Sequence, residues 1–128
     1  MANPKKHYIT AKYDFAVDAT GTGSFPRTVT LANTDTLPNN AVVNEVCLYA
    51  STAVAGSSST FAVNAGGVNV TAAIAEAKLS DEAVVATDDV KAGGKATSAA
   101  DIKVVVGTAA LTAGVVDITV GYFIGYAE

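Results

Sequence analysis

The feature that most constrains this chain is a strict alternation of apolar and polar residues near both of its ends. Over residues 9–17 every odd position is apolar, and most even positions are polar. The alternation returns at residues 102–107 and 116–124. Successive side chains of a β-strand point to opposite faces of a sheet, so this pattern predicts strands that are buried on one side only.

Further short strands are predicted at residues 28–31 and 60–64. Residues 41–50 are apolar on both faces, which predicts a central strand. Residues 102–107 and 116–124 are joined by a short glycine-containing connection, which predicts an antiparallel hairpin. No helix is predicted that is long enough for a parallel crossover. Seven or eight short strands therefore predict an all-β fold, an antiparallel β-sandwich, of which the jelly roll is one form.

Length and charge limit the possible classes of protein. The 128 residues predict a single domain at residues 8–128, preceded by a flexible basic arm at residues 1–7. A net charge of −4 disfavours nucleic acid as a partner, and the apolar runs are too short for a membrane-spanning helix. The N-terminus does not resemble a secretory signal. One cysteine permits no internal disulfide.

Few side chains are candidates for chemistry, and each has a simpler structural explanation. Cys47 lies in an apolar strand, where a thiol packs as a small hydrophobic group. His7 lies in the basic arm, where a catalytic base would not be held in position. Asp14 and Asp18 are predicted to be solvated carboxylates on the polar face of the first strand. We therefore predict no enzyme and no catalytic, cofactor or metal site, although a cation site at the acidic residues 81–89 remains an alternative to a solvated loop.

Three segments resemble small structural proteins of tailed bacteriophages. Residues 37–43, LPNNAVV, are similar to the LPxNAVI sequence that enters a strand in those proteins. Residues 102–122 resemble their last hairpin, in which an aLTaG turn precedes a final strand that ends in Tyr. Residues 61–74 resemble their middle hairpin, although VNVT stands here in place of the usual isiG step. The resemblance covers about two-thirds of the chain.

The resemblance implies a virion component that is made in the host cytoplasm and mounted on the capsid surface. The expected role is that of a capsid decoration (cement) protein. Such proteins are typically β-sandwich trimers that clamp neighbouring capsomers, so the implied partners are further copies of this chain and the major capsid protein. Charged residues make up only 16% of the chain, which suits a surface that neighbours largely cover.

Two contact surfaces are expected if this role is correct. The basic arm would reach an acidic groove on a shell protein through Pro4, Lys5, Lys6 and His7. The strands at residues 43–49 or 116–124 would form the subunit interface, for which the candidate residues are Val43, Glu45, Cys47, Tyr49, Val116, Ile118, Val120 and Tyr122.

Three alternatives remain open. The first is a head-fibre or tail adhesin that binds a host surface glycan through exposed Tyr and Asn residues, such as those at residues 33–40. The second is a polysaccharide-degrading enzyme, which is disfavoured because no paired acid and base is evident. The third is a bacterial surface or pilus subunit, which is disfavoured because no export signal is evident.

Overall fold

A computed structural model describes residues 7–18, 25–65, 68–71, 73–82, 84–87 and 100–124. Within these residues the chain is almost entirely β-structure and forms two antiparallel sheets that pack face to face. The predicted all-β sandwich is confirmed. No helix in this part of the chain is long and apolar enough to cross a membrane.

The described residues form eleven strands, of which seven have four or more residues. A single helical turn, α1, covers Phe15–Asp18, and a 3₁₀ turn covers Glu76–Lys78. The strands are β1 (His7–Asp14), β2 (Arg27–Thr30), β3 (Asn33–Thr34), β4 (Thr36–Leu37), β5 (Ala41–Gly56), β6 (Thr60–Ala65), β7 (Val68–Asn69), β8 (Ile74–Ala75), β9 (Val84–Thr87), β10 (Ala100–Gly107) and β11 (Leu111–Ile124).

The order of the strands is that of a jelly roll. One sheet has five strands in the order β3–β1–β11–β5–β9. The other has the order β2–β10–β6–β7, with β4 also paired to β10 and β8 also paired to β6. Long strands that follow each other in the chain, such as β5 and β6, therefore lie in opposite sheets. This alternation is what distinguishes a double-sheet jelly roll from a series of hairpins.

The core lies between the sheets and consists of the inward-facing residues of both. Ile118 of β11 and Val104 of β10 are completely buried in it, as is Tyr13 of β1. The Tyr13 and Phe61 rings meet edge to face, with their centroids 5.6 Å apart. This is a favoured geometry for aromatic pairs, and the contact joins the two sheets.

The prediction of a C-terminal hairpin is wrong. β10 pairs with β2, β4 and β6, whereas β11 pairs with β1 and β5. The two strands each have one apolar face, and these faces meet across the core. Alternation predicts which side of a strand is buried, but it does not distinguish two paired strands from two strands that face each other between sheets.

The first strand ends at Asp14, although the sequence predicted that it would continue to residue 17. Phe15–Asp18 form the helical turn α1 instead. The Asp18 carboxylate accepts hydrogen bonds from the backbone N–H of Asp14 at 3.0 Å and of Ala32 at 2.9 Å. Asp18 is only 6% exposed, so the prediction of a solvated carboxylate is wrong for this residue. Its side chain closes the turn that ends β1.

The central strand β5 is confirmed, but it is longer and less regular than predicted. It extends to Gly56, whereas the predicted strand ends at residue 50. Val43 and Val46 are both buried, which strict alternation does not allow. The pairing with β11 shifts at this point, because Gly121 lies opposite Glu45 whereas Tyr122 lies opposite Val43. One extra residue in β5, a β-bulge, changes which side chains face the core.

Candidate interaction surface

Exposed apolar side chains are concentrated on the outer side of the five-stranded sheet. Among the described residues the exposed large hydrophobic side chains are Tyr8, Val17, Tyr49 and Val84. Three of them lie on this side, because Tyr8 alternates with the buried Ile9 and because Tyr49 and Val84 are cross-strand partners. Val17 lies in α1. This outer side is therefore the best candidate for a surface that contacts another molecule.

Strand register arranges the outer side in rows that cross the sheet. One row runs through Asn33, Lys12, Asp117, Tyr49 and Val84, one residue from each strand. With strands about 4.8 Å apart, it spans about 19 Å. The next row contains Thr10, Thr119 and Cys47.

The two halves of this side differ in chemistry. The half on β1, β3 and β11 is polar, and we call it the groove half; its outward-facing residues are Thr10, Lys12, Asn33, Asp117 and Thr119, and Thr34 and Asp35 border it. The half on β5 and β9 is more apolar, and we call it the apolar half; it consists of Cys47, Tyr49 and Val84. Tyr49 is 37% exposed and Val84 is 65% exposed, so a partner would cover apolar area there.

Five of the eight predicted interface residues do not reach this surface. Their side chains face the core of the same chain, with exposures of 0–8%. A second subunit could contact them only if the sandwich opened, so the prediction is corrected for these residues. They are Val43, Val116, Ile118, Val120 and Tyr122.

The remaining three predicted interface residues lie on the outer side. Glu45 is exposed, Cys47 is half-buried, and Tyr49 is exposed beside Val84. Strand β11 does contribute to this side, but through Asp117 and Thr119, which alternate with the residues that we predicted. The residues of β11 that we predicted face the core, so any contact made by β11 would involve their outward-facing neighbours.

The predicted capsid-contacting arm is described only at its last residue. Pro4, Lys5 and Lys6 lie outside the described residues. His7 belongs to β1 and not to a flexible arm. Its ring stacks on that of Tyr122, with centroids 5.4 Å apart and planes 27° apart. Since His7 and Tyr122 are paired across β1 and β11, the chain enters the sheet at the end where β11 leaves it.

Tyr13 is an ionisable side chain of β1 that is completely buried in the core. Burial, helped by the nearby carboxylates of Asp18 and Asp14, raises the pKa of Tyr13 to about 12. Its hydroxyl is buried and has no hydrogen-bond partner among the described residues. The ring packs inside the core, so this shift reflects burial and does not mark a site on the surface. No group of three or more His, Cys, Asp or Glu side chains that could hold a metal ion occurs in the described ranges.

The groove half was not predicted from the sequence. Its residues come from three strands that are far apart in the chain, and only the register of these strands brings them together. Each strand by itself shows only an ordinary polar face. A signal was present in the polar positions of residues 9–17 and 116–124, but the pairing of these two segments was not predicted.

Two solved structures contain chains with a similar fold. A chain in the acidic stable capsid structure of Helicobacter pylori bacteriophage KHP30 has a TM-score of 0.59 and 17% identity, over 93% of this chain and 87% of that chain. A chain in the cyanophage Pam1 capsid asymmetric unit has a TM-score of 0.57 and 20% identity, over 98% of this chain and 93% of that chain. No protein-family model and no curated protein matches this chain. At these identities the likeness is one of fold.

Proposed function

We propose that this chain is a capsid decoration (cement) protein of a tailed bacteriophage, which stabilises the head shell by bridging neighbouring capsomers. The observation that carries the proposal is the fold that the chain shares, over nearly all of its length, with chains of two phage capsid structures. The sequence resemblance to small phage structural proteins supports the same role. The two arguments are independent, since one rests on segments of sequence and the other on topology.

The proposed action is mechanical and not enzymatic. Each bound copy covers surface on adjacent shell subunits, and binding to the assembled shell alone stabilises it by mass action. A specific contact typically buries about 800 Å² per partner, and many such contacts act in parallel on one particle. A modest affinity for each copy therefore suffices to raise the temperature at which the shell fails.

The apolar half is the surface that we assign to contact with a neighbouring virion subunit. Aromatic side chains are enriched in the centres of protein interfaces, and Tyr49 lies directly beside the exposed Val84 at one end of the row. Cys47 belongs to this half, and Glu45 lies beside it on the same side of β5. The neighbour is the major capsid protein or a second copy of this chain in a homotrimer.

The N-terminal residues Lys5 and Lys6 are proposed to supply a second, electrostatic contact to the capsid. In the sequence they directly precede His7, the first residue of β1. Exposed ion pairs contribute only about 0–1 kcal/mol each, so this contact would steer and orient the chain more than hold it.

Capsids that lack this chain provide the direct test. Purified chain is mixed with them, occupancy is measured by co-sedimentation and cryo-electron microscopy, and shell stability is measured by thermal release of DNA. We expect saturable binding on the shell and release at a higher temperature. Val84→Ser should reduce occupancy, whereas Val17→Ser, the same change at an exposed valine of α1, should not.

Binding to host cells without binding to capsids would contradict the proposal and would favour the adhesin. A variant that lacks residues 2–6 tests the arm separately. It retains His7 and therefore retains the stacking contact with Tyr122. Unchanged occupancy at moderate salt would remove the arm from the capsid contact but would leave the rest of the proposal intact.

A further inference from the structure

The groove half contains an open depression of about 530 Å³. Outward-facing side chains of β1 and β11 line its floor, among them Lys12 and Asp117, and residues 33–35 form one wall. Small-ligand sites in proteins usually have volumes of about 300–1,000 Å³. The depression is therefore large enough for a small ligand or for a short segment of a polymer.

Hydrogen bonds hold the wall of the groove in place. The Asp35 carboxylate accepts a hydrogen bond from the backbone N–H of Thr10 at 3.0 Å, and the Asp35 backbone N–H donates to the Thr10 carbonyl at 2.9 Å. The Thr34 hydroxyl accepts from the Ile102 backbone N–H at 3.1 Å and donates to the Asp35 carbonyl at 2.8 Å. A site whose wall is already fixed loses little conformational entropy when a ligand binds.

The same bonds make an extended peptide a poor occupant. A peptide that adds to a sheet needs free N–H and C=O groups on an edge strand. At Thr10 both backbone groups are bonded to Asp35, and at Ala11 and Lys12 the edge is paired with β3. The β1 edge beside the groove is thus closed to strand addition.

Four polar side chains around the groove have unused hydrogen-bonding capacity. The side chains of Lys12, Asn33, Asp117 and Thr119 form no hydrogen bond or ion pair with another described residue. Together they offer an ammonium, an amide, a carboxylate and a hydroxyl, so donors and acceptors alternate over a short distance. The matching ligand has many groups that both donate and accept, as vicinal hydroxyl groups do.

Tyr8 adds an apolar surface beside these polar groups. It lies two residues before Thr10 on the same side of β1 and is 57% exposed. An aromatic ring presents a flat apolar face, which suits the C–H face of a pyranose ring. Asp35 and Asp117 outnumber Lys12, which disfavours a phosphate-rich ligand such as nucleic acid.

From these observations we infer that the groove half binds a carbohydrate, as a short segment of a polysaccharide chain. Asp117 and Asn33 accept hydrogen bonds from sugar hydroxyls. Lys12 and Thr119 donate hydrogen bonds to sugar oxygens. The Tyr8 ring packs against one face of a sugar ring. This inference goes beyond the proposed decoration role. It requires that the groove half stays accessible while the apolar half is in contact with a virion subunit.

Nuclear magnetic resonance titration of the full chain tests the inference. The probes are maltotriose, triacetylchitotriose and an oligogalacturonate, each at millimolar concentration, with a lysine-rich peptide as a probe of the competing class. We expect at least one saccharide to shift the backbone resonances of Thr10, Lys12 and Asp117. Asp117→Asn should weaken that binding by about tenfold or more, because a hydrogen bond to a charged acceptor is lost. Asp81→Asn, the same change at an exposed loop residue, should leave the affinity unchanged.

Three outcomes would overturn the inference. They are the absence of a shift with every saccharide, shifts confined to the other sheet, and binding of the peptide alone. Equal weakening by Asp117→Asn and Asp81→Asn would overturn it as well, because the effect would then be one of net charge. Capsid occupancy of Asp117→Asn is measured in parallel and should match that of the parent chain, so that failure of the groove is distinguished from failure of the decoration role.

Discussion

The inner and outer sides of the five-stranded sheet are formed by the same strands but differ completely in chemistry. On β11 the inner residues Val116, Ile118 and Val120 are completely buried, whereas Asp117 between them is exposed. On β5 the inner Leu48 is buried and its neighbour Tyr49 is exposed. Because side chains alternate in direction along a strand, one strand contributes to the core and to the outer surface at once.

This difference separates the residues that stabilise the fold from those that are available for binding. Inner side chains are buried and cannot contact a partner. A substitution of an inner residue should therefore change the free energy of unfolding, and it should affect binding only through unfolding. Outer side chains have few bonds to lose, so a substitution there should change binding with little effect on stability. Matched substitutions on the two sides test this separation directly.

The largest effect is expected for Ile118→Ala. Ile118 is 0% exposed, and truncation of a buried isoleucine typically costs about 2–5 kcal/mol because a cavity remains. Val84→Ala, at a residue that is 65% exposed on the outer side, should change the free energy of unfolding by less than about 0.5 kcal/mol. Urea unfolding followed by circular dichroism measures both variants. Similar losses in the two would mean that the outer side also contributes to stability.

A pair of tyrosines provides the second test, through the pH dependence of stability. Tyr13 has its pKa raised from 10.0 to about 12. The unfolded chain therefore loses this proton at lower pH than the folded chain. This contribution to the free energy of unfolding is fully present below pH 10. It falls by up to about 3 kcal/mol as the pH rises through about 12.

Tyr13→Phe should remove this alkaline loss. It should cost little at neutral pH, because the buried hydroxyl has no hydrogen-bond partner among the described residues and the edge-to-face contact with Phe61 can be retained. Tyr49→Phe leaves Tyr13 in place and should retain the loss. Urea unfolding between neutral pH and pH 12 measures the difference, and an alkaline decline in Tyr13→Phe as large as that of the parent would contradict the assignment.

A pair of aspartates provides the third test. The Asp18 carboxylate accepts two backbone N–H bonds in a buried turn, whereas Asp117 is exposed on the outer side. Asp18→Asn places an NH₂ group where an acceptor is needed, and it should cost about 1–3 kcal/mol. Asp117→Asn should change stability by less than about 0.5 kcal/mol. If thermal unfolding shows the reverse order, the hydrogen bonds of Asp18 do not hold the turn.

Strand identity and burial were largely predictable from the sequence, because both depend on local alternation. Residues 9–14 and 116–120 alternate in the structure as they do in the sequence, and β5 is an interior strand of its sheet, as its apolar residues on both faces predicted. Pairing was not predictable in the same way. β10 and β11 have the pattern of a hairpin, yet each pairs with strands that are more distant in the chain.

The outward-facing residues of the candidate interaction surface were predicted only in part, for a related physical reason. Val116 and Asp117 are neighbours on one strand, and the sequence alone suggested that apolar residues would lie in the interface. In the structure a second sheet of the same chain covers these apolar residues, so the surface that remains is formed by their polar neighbours. The bulge in β5 has a similar effect, because it returns Val43 to the core next to Val46.

Tyr49→Ser is expected to have a small effect on stability and a clear effect on binding. The ring is 37% exposed and its main cross-strand neighbour is Val84, so its loss should lower the free energy of unfolding by about 1 kcal/mol at most. A central interface tyrosine commonly contributes about 2 kcal/mol to binding, so capsid occupancy should fall steeply. Tyr49→Phe retains the ring and serves as the control. If Tyr49→Ser binds capsids as well as the parent chain does, the contact lies elsewhere, and the exposed tyrosine on this half of the sheet is no guide to where the chain docks.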